Sequence, residues 1–231
     1  LCLALTLLIS SCSTSPKSLV SGANYEVKTW GSMREVLKEG KTSGRITLDE
    51  VVTQNSIGVG ALSELKGEIT LLAGEVFIAT GAKDSSSKQQ IFKTRSVSKS
   101  DQAALLVIAE VPAWESLNLG SCATYSDLET KVAAVLKQRG FDLLQPTPIR
   151  IRGVADRVDF HVIAGSCPIA DPQGTPPWRG SIEGEPLELV GIYVEESAGK
   201  LTHHLHNSHL HVVSGSQSGH VDTIQLHSAE L

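Results

Sequence analysis

The sequence predicts an α+β protein of two β-rich halves with mixed or antiparallel sheets, each half carrying a few helices. Three observations predict it. Stretches rich in glycine and β-formers alternate with turn residues, one segment carries the caps and length of a substantial helix, and nothing repeats at a fixed period. A chain of 231 residues suffices for one large domain or two small ones sharing a core. The expected division is 1–24 for a leader and tether, 25–115 for the first half and 116–231 for the second, with the boundary near Pro112 to Ser121.

The elements follow in order. Leu1 to Ile9 is apolar but too short to span a bilayer; it has the length of a signal-peptide core. Ile9-Ser10-Ser11-Cys12 then reads as a bacterial lipobox, with lipidation expected at Cys12 and Ser13 to Ser18 as a polar tether. Plain secretion with Cys12 discarded is the alternative. Ser32 to Lys38 reads as a short helix stopped by Gly40, and Thr47 or Asp49 would open another. Gly67 to Leu72 and Glu75 to Ala79 flank Ala73-Gly74, a two-residue hairpin turn. Ala103 to Ala109 is a continuous apolar run fit for a buried strand. Ser126 to Arg139 is the best helix, with Ser126 as its cap, Glu129 completing a capping box and Gly140 closing it. Strands are expected at Ile149 to Ile163, Leu187 to Glu195, Ser208 to Val213 and His220 to Leu226. Pro168 to Gly184 reads as a long loop.

Composition removes some functions. A net charge of −5 offers no basic face for nucleic acid, and 4% aromatic residues leave little for base or sugar stacking. Cys2 and Cys12 belong to the leader, so Cys122 and Cys167 remain as either a disulfide or two buried thiols.

Seven of the eight histidines lie between His203 and His227. On a strand, His209 and His211 point to one face while Leu210 points into the core. A regular hairpin closed by Ser214 to Gly219 would pair Val213 with His220, placing His220 on the same face and diagonal to His211. Three neutral imidazoles with an open fourth position make a catalytic zinc arrangement. An exposed histidine-rich surface is the competing reading, as is loose metal scavenging by His203, His204 and His206.

Asn207 to Val213, a short loop and Gly219-His220-Val221 resemble the zinc segment of α-acetolactate decarboxylases. Upstream, Ser32-Met33-Arg34-Glu35-Val36-Leu37, Gly58-Val59-Gly60-Ala61-Leu62, Leu65-Lys66-Gly67-Glu68-Ile69, Leu72-Ala73-Gly74-Glu75 and Ile149-Arg150-Ile151-Arg152-Gly153 follow that family's motifs in order. The resemblance covers nearly the whole chain after the tether. It implies a Zn2+ enzyme that decarboxylates 2-acetolactate, a small 2-hydroxy-3-oxo acid, to acetoin, with no organic cofactor. It implies His209, His211 and His220 as zinc ligands, Glu68 as the active-site carboxylate and Arg150 as the active-site guanidinium. Read without the resemblance, Glu68 is a solvated strand-edge residue, and Arg150 and Arg152 share one wet sheet face. Departures are a loop two residues shorter than the family's, Ala61-Leu62 for Thr-Phe, and Val212 for phenylalanine. The family's further glutamate, in a tail beyond the zinc strand, has no assigned counterpart before Leu231, Glu230 included. A non-catalytic zinc- or ligand-binding lipoprotein on the same scaffold is the alternative, and homodimerisation is left open. The expected location is periplasmic or cell-surface, with membrane contact only through the lipid.

Overall fold

In the computed structural model, which describes residues 25–83, 90–166 and 173–231, the strands gather into two antiparallel sheets. The leader, Cys2, Cys12 and Cys167 lie outside the described residues. The first sheet contains β1 (Val27–Trp30), β2 (Ile46–Thr47), β3 (Ser56–Leu62), β4 (Glu68–Leu72), β5 (Glu75–Lys83), β6 (Gln90–Arg95) and β7 (Gln102–Glu110). Its order is β1-β7-β3-β4-β5-β6, with β2 also on β7. The second contains β8 (Asn118–Cys122), β9 (Thr147–Val162), β10 (Trp178–Ile182), β11 (Pro186–Tyr193), β12 (Ser208–Ser214) and β13 (Gln217–Glu230), in the order β10-β9-β11-β12-β13-β8. Strand β13 also pairs with β9, so β9, β11, β12 and β13 curl into a closed ring. The α+β expectation holds, with strands far outweighing helices.

Local chemistry explains most elements. Ala73 and Gly74 both take positive φ, at 51° and 82°, so Leu72 pairs with Glu75 across a two-residue turn. Helix α1 (Met33–Leu37) starts at Ser32, whose side chain accepts from the Glu35 amide. A single 3-10 turn at Leu48–Glu50 follows Thr47. Every residue of β7 between its ends is buried, because apolar clusters cover both faces of the first sheet there.

The long helix α2 runs Tyr125–Gln138. Its cap is Thr124, which accepts from the Asp127 amide at 3.1 Å, so the capping box expected at Ser126 and Glu129 does not form. Glu129 is engaged elsewhere: its carboxylate accepts from the backbone N–H and the hydroxyl of Ser208, at 2.8 and 2.6 Å. The helix thereby holds the first residue of β12. The segment expected to be loop from Pro168 to Gly184 contains β10, an edge strand hidden in sequence by its flanking prolines and by Gly180 and Gly184. Trp178 anchors it on Phe92 and Phe160.

Side chains alternate across the second sheet. Ile151, Phe160, Leu189, Leu210, Val212 and Val221 face inward, where Tyr125, Leu128, Val132 and Leu136 of α2 and buried Cys122 join them. The opposite face packs on the first sheet: Val190 against Ile57, Val59 and Ala109, and Ile192 against Val107. Helix α1 lies over one end of this interface, its first amides bonded to the carbonyls of Lys200 and Gly199 in the loop between β11 and β12. None of the helices among the described residues is long and apolar enough to cross a membrane.

Candidate active site

Strands β12 and β13 meet in a tighter hairpin than a six-residue loop would give. Ser214 pairs with Gln217 around Gly215-Ser216, with Gly215 at φ +55°, and His211 stands directly opposite His220 rather than diagonal to it. The register moves by two residues, which preserves the face. Gly219 lets this edge close on β9, since a Cβ there would come within 2.6 Å of the His161 carbonyl.

His209, His211 and His220 therefore converge. Their ring centres are 5.3, 5.2 and 5.6 Å apart, and all three rings are buried. Imidazoles around one tetrahedral ion, with metal–nitrogen bonds of about 2.1 Å, have ring centres about 5 Å apart. Burial pushes the His209 imidazole down to about 3 and those of His211 and His220 well below 6.5, with neighbouring histidines adding to the effect. All three are neutral at ordinary pH, as ligands must be. His209 Nδ1, His211 Nε2 and both nitrogens of His220 are buried without a hydrogen-bond partner. Orphaned buried acceptors are costly, and a shared cation satisfies one on each ring. The donor set fits a metal.

The surroundings orient it. Thr70 Oγ1, on β4 of the facing sheet, lies 2.9 Å from His211 Nδ1 and accepts from Ser218 at 2.7 Å. With the proton on Nδ1, His211 donates to Thr70 and keeps its Nε2 lone pair for the ion. Glu68, two residues before Thr70, shares its face and is buried, not solvated. One of its oxygens accepts from the Ile163 amide at 3.3 Å and the other lies 3.8 Å from His211 Nε2. Burial raises its carboxyl from the ordinary 4.5 to about 7, opposed by the nearby His161.

Glu68, His209 and His220 line a cavity of about 230 Å³ between the sheets, with Met33, Val36, Leu37, Ala61, Leu65 and Leu105 as its apolar wall. His161 and His203 line it too. His203 comes from the loop before β12, its ring 4.7 Å from His220, and burial lowers it to about 4. His206 instead stacks on Tyr125, and His204 is exposed. His161 pairs directly with His220 across β9 and β13, their rings 4.8 Å apart. Its Nδ1 meets Asp222 Oδ1 at 2.7 Å, while Arg179 donates to Asp222 Oδ2 at 2.6 Å. His161, His220 and Asp222 also bring one potential ligand atom each within 4.8 Å of one another. Both Asp222 oxygens are already engaged, so the orphaned nitrogens of His209, His211 and His220 make the better ligand set.

The structure does not bring Arg150 to this cavity. Its guanidinium forms a two-point ion pair with Glu188, and Arg150 lines a separate recess with Trp114, Arg152 and Glu230. Buried Val190 stands between it and His211 in the cross-strand row. Sequence reasoning missed His161, Asp222 and Arg179. A strand period gives no sign that β9 returns to pair with β13.

Residues 30–231 match the protein-family model described as Alpha-acetolactate decarboxylase. Among solved structures, the fold resembles the α-acetolactate decarboxylase of Bacillus subtilis strain 168, with a TM-score of 0.68 and 17% identity over 88% of this chain and 82% of that one. It also resembles a Staphylococcus aureus protein described as similar to α-acetolactate decarboxylase, with a TM-score of 0.69 and 15% identity over 88% and 83% of the two chains. At such identities the likeness shows the fold alone. No curated protein sequence gives a significant match.

Proposed function

This chain belongs to the α-acetolactate decarboxylase family over residues 30–231, a family of carboxy-lyases, and from that membership we propose that it converts 2-acetolactate to acetoin and CO2 at a zinc ion held by His209, His211 and His220. The observation that carries the reading is the set of orphaned nitrogens on the converging rings of His209, His211 and His220, beside a cavity that His209, His220 and a buried, protonatable Glu68 line.

The carboxylate of 2-acetolactate is β to a ketone. Breaking its C–C bond releases CO2 and leaves an electron pair that spreads onto the ketone oxygen as an enediolate. Zinc, when bound, supplies Lewis-acid stabilisation of that developing charge. Glu68 then donates its proton to the carbon that lost CO2, giving acetoin, and recovers a proton from water. A pKa of about 7 suits this task, because the carboxyl holds its proton near neutrality yet gives it up readily. The Ile163 amide fixes one oxygen and leaves the other free to face the substrate. The apolar wall excludes water and takes the substrate's methyl groups. A cavity of about 230 Å³ lies below the range of about 300–1,000 Å³ usual for drug-sized ligands, which suits a small branched acid.

The test is direct. Zinc-loaded protein should release acetoin and CO2 from 2-acetolactate, with about one zinc per chain by metal analysis; a zinc-loaded protein that releases neither overturns the reading. Lipidation at Cys12 belongs to the same proposal and is supported by the apolar run and Ile9-Ser10-Ser11-Cys12. A Cys12→Ser chain should lose membrane partitioning and fatty-acid labelling, and unchanged behaviour would count against the anchor.

A further inference from the structure

A zinc ion on His209, His211 and His220 would carry positive charge at the inner end of the cavity, and the mouth has a cation of its own. Among the described residues lining the cavity, the one permanent cation is Arg179. It sits on edge strand β10 directly opposite His161, which is itself opposite His220, so the three share one face. Its side chain is 65% exposed, which puts the guanidinium at the mouth.

The backbone there is built to hold it. Trp178, the preceding residue, packs against Phe92 and Phe160 with ring centres 4.6 and 5.5 Å away. On the facing strand, β13 carries a bulge between Val221 and Thr223, with Asp222 the residue left out of register. Bulges re-aim side chains beside functional sites. This one lets Asp222 receive Arg179 on one oxygen and His161 on the other, while Thr223 ties the bulge to Asp159 at 2.8 Å. Only Nη1 of Arg179 is engaged by Asp222. Among the described residues nothing engages the other edge of the guanidinium fork, and such a fork matches a carboxylate. An exposed ion pair adds little to stability, so the fold has no strong need of Arg179 in this place.

We infer that Arg179 is the substrate-binding residue that selects for a carboxylate, and that Asp222 is its positioning residue. The inference rests on the decarboxylase reading for the identity of the substrate but not for its test. Two non-reacting probes are titrated calorimetrically into the zinc-loaded full chain: 2-hydroxy-2-methylpropanoate, which carries the carboxylate, and acetoin, which does not. Arg179→Gln should weaken the acid about 10-fold or more, the usual scale for a hydrogen bond to a charged group, and leave acetoin within about twofold. Arg179→Lys should fall between, because an ammonium keeps the charge and loses the fork. Asp222→Asn should weaken the acid selectively, with zinc content unchanged. In turnover, Arg179→Gln should raise KM more than it lowers kcat. Equal affinity of wild type and Arg179→Gln for the acid overturns the inference, as does parallel weakening of both probes. If the wild type does not decarboxylate acetolactate but Arg179 still controls selectivity for the acid, the reaction assignment fails and this inference stands.

Discussion

Replacing Glu68 by glutamine separates proton donation from every other role of the site. The amide keeps the volume and can still accept from the Ile163 N–H, now at 3.3 Å. It has no proton to give, so decarboxylation should fall about 10²–10⁴-fold with zinc content unchanged. A second readout comes from burial. The rise of the Glu68 carboxyl from 4.5 to about 7, at about 1.4 kcal/mol per tenfold in acidity, amounts to about 3 kcal/mol. A raised carboxyl binds its proton more tightly in the folded state than in the unfolded one. Its contribution is therefore fully present below pH 4.5 and is lost as pH rises through about 7. In chelator-stripped protein, Glu68→Gln should thus match the wild type near pH 4.5 and exceed it at pH 8 by up to about 3 kcal/mol, several degrees in Tm for a chain of this size. Thermal denaturation at the two pH values, paired with an acetoin assay, measures both effects. A fully active Glu68→Gln enzyme would refute the choice of acid, and a variant less stable than wild type at pH 8 would refute the burial argument.

Other outcomes follow from the same geometry. His211→Ala should abolish stoichiometric zinc binding, whereas Thr70→Val, which removes only the oxygen facing Nδ1, should weaken zinc about 10–100-fold in a competitive chelator titration. Full zinc retention in a chain lacking all three ligand histidines would contradict the assignment. Acid should loosen the metal-free protein: His209 is lowered from 6.5 to about 3, so its stabilising contribution is present above pH 6.5 and is lost as pH falls toward 3. His203, His211 and His220 shift the same way, so these four rings outweigh the single opposing carboxyl, and a Tm that stays flat from pH 7 to 5 would argue against a neutral cluster. Arg150→Lys should change kcat/KM by only a few-fold, because Arg150 faces Glu188 rather than the cavity; a loss beyond about 100-fold would show that it reaches the substrate.

What could be read from the sequence was whatever depended on neighbours along the chain. The Ala73-Gly74 turn, the short helix after Ser32 and the apolar run of β7 each rest on local chemistry, and each is present. The histidine face survived an error in loop length because pairing His220 with His211 instead of Val213 is a slip of two, which returns every side chain to the same side. A slip of one would have buried the wrong set. Helix α2 was legible as a helix, but its cap was misplaced by two residues, since Glu129 is drawn to Ser208 by a contact 79 residues distant. His161 and Asp222 were illegible for a related reason. One depends on β9 returning to pair with β13, the other on a bulge, and neither leaves a period in the sequence.

The same closure explains why strand parity points to Arg150 although it lies outside the cavity. Directly paired residues form one row across the second sheet: Arg179, His161, His220, His211, Val190 and Arg150. The row starts beside one end of β9 and finishes at the other, and parity alone places both arginines on the face that carries His209, His211 and His220. The first sheet decides between them. Opposite Val190 it presents Ile57, Val59 and Ala109, which pack tightly and leave Arg150 beyond an apolar barrier. Beside His211 it presents Glu68 and Thr70, whose polar side chains leave room for a cavity that continues past His220 and His161 to Arg179. The partner sheet thus sets which end of this face borders a cavity, through Val59 and Ala109 at one end and Thr70 and Glu68 at the other.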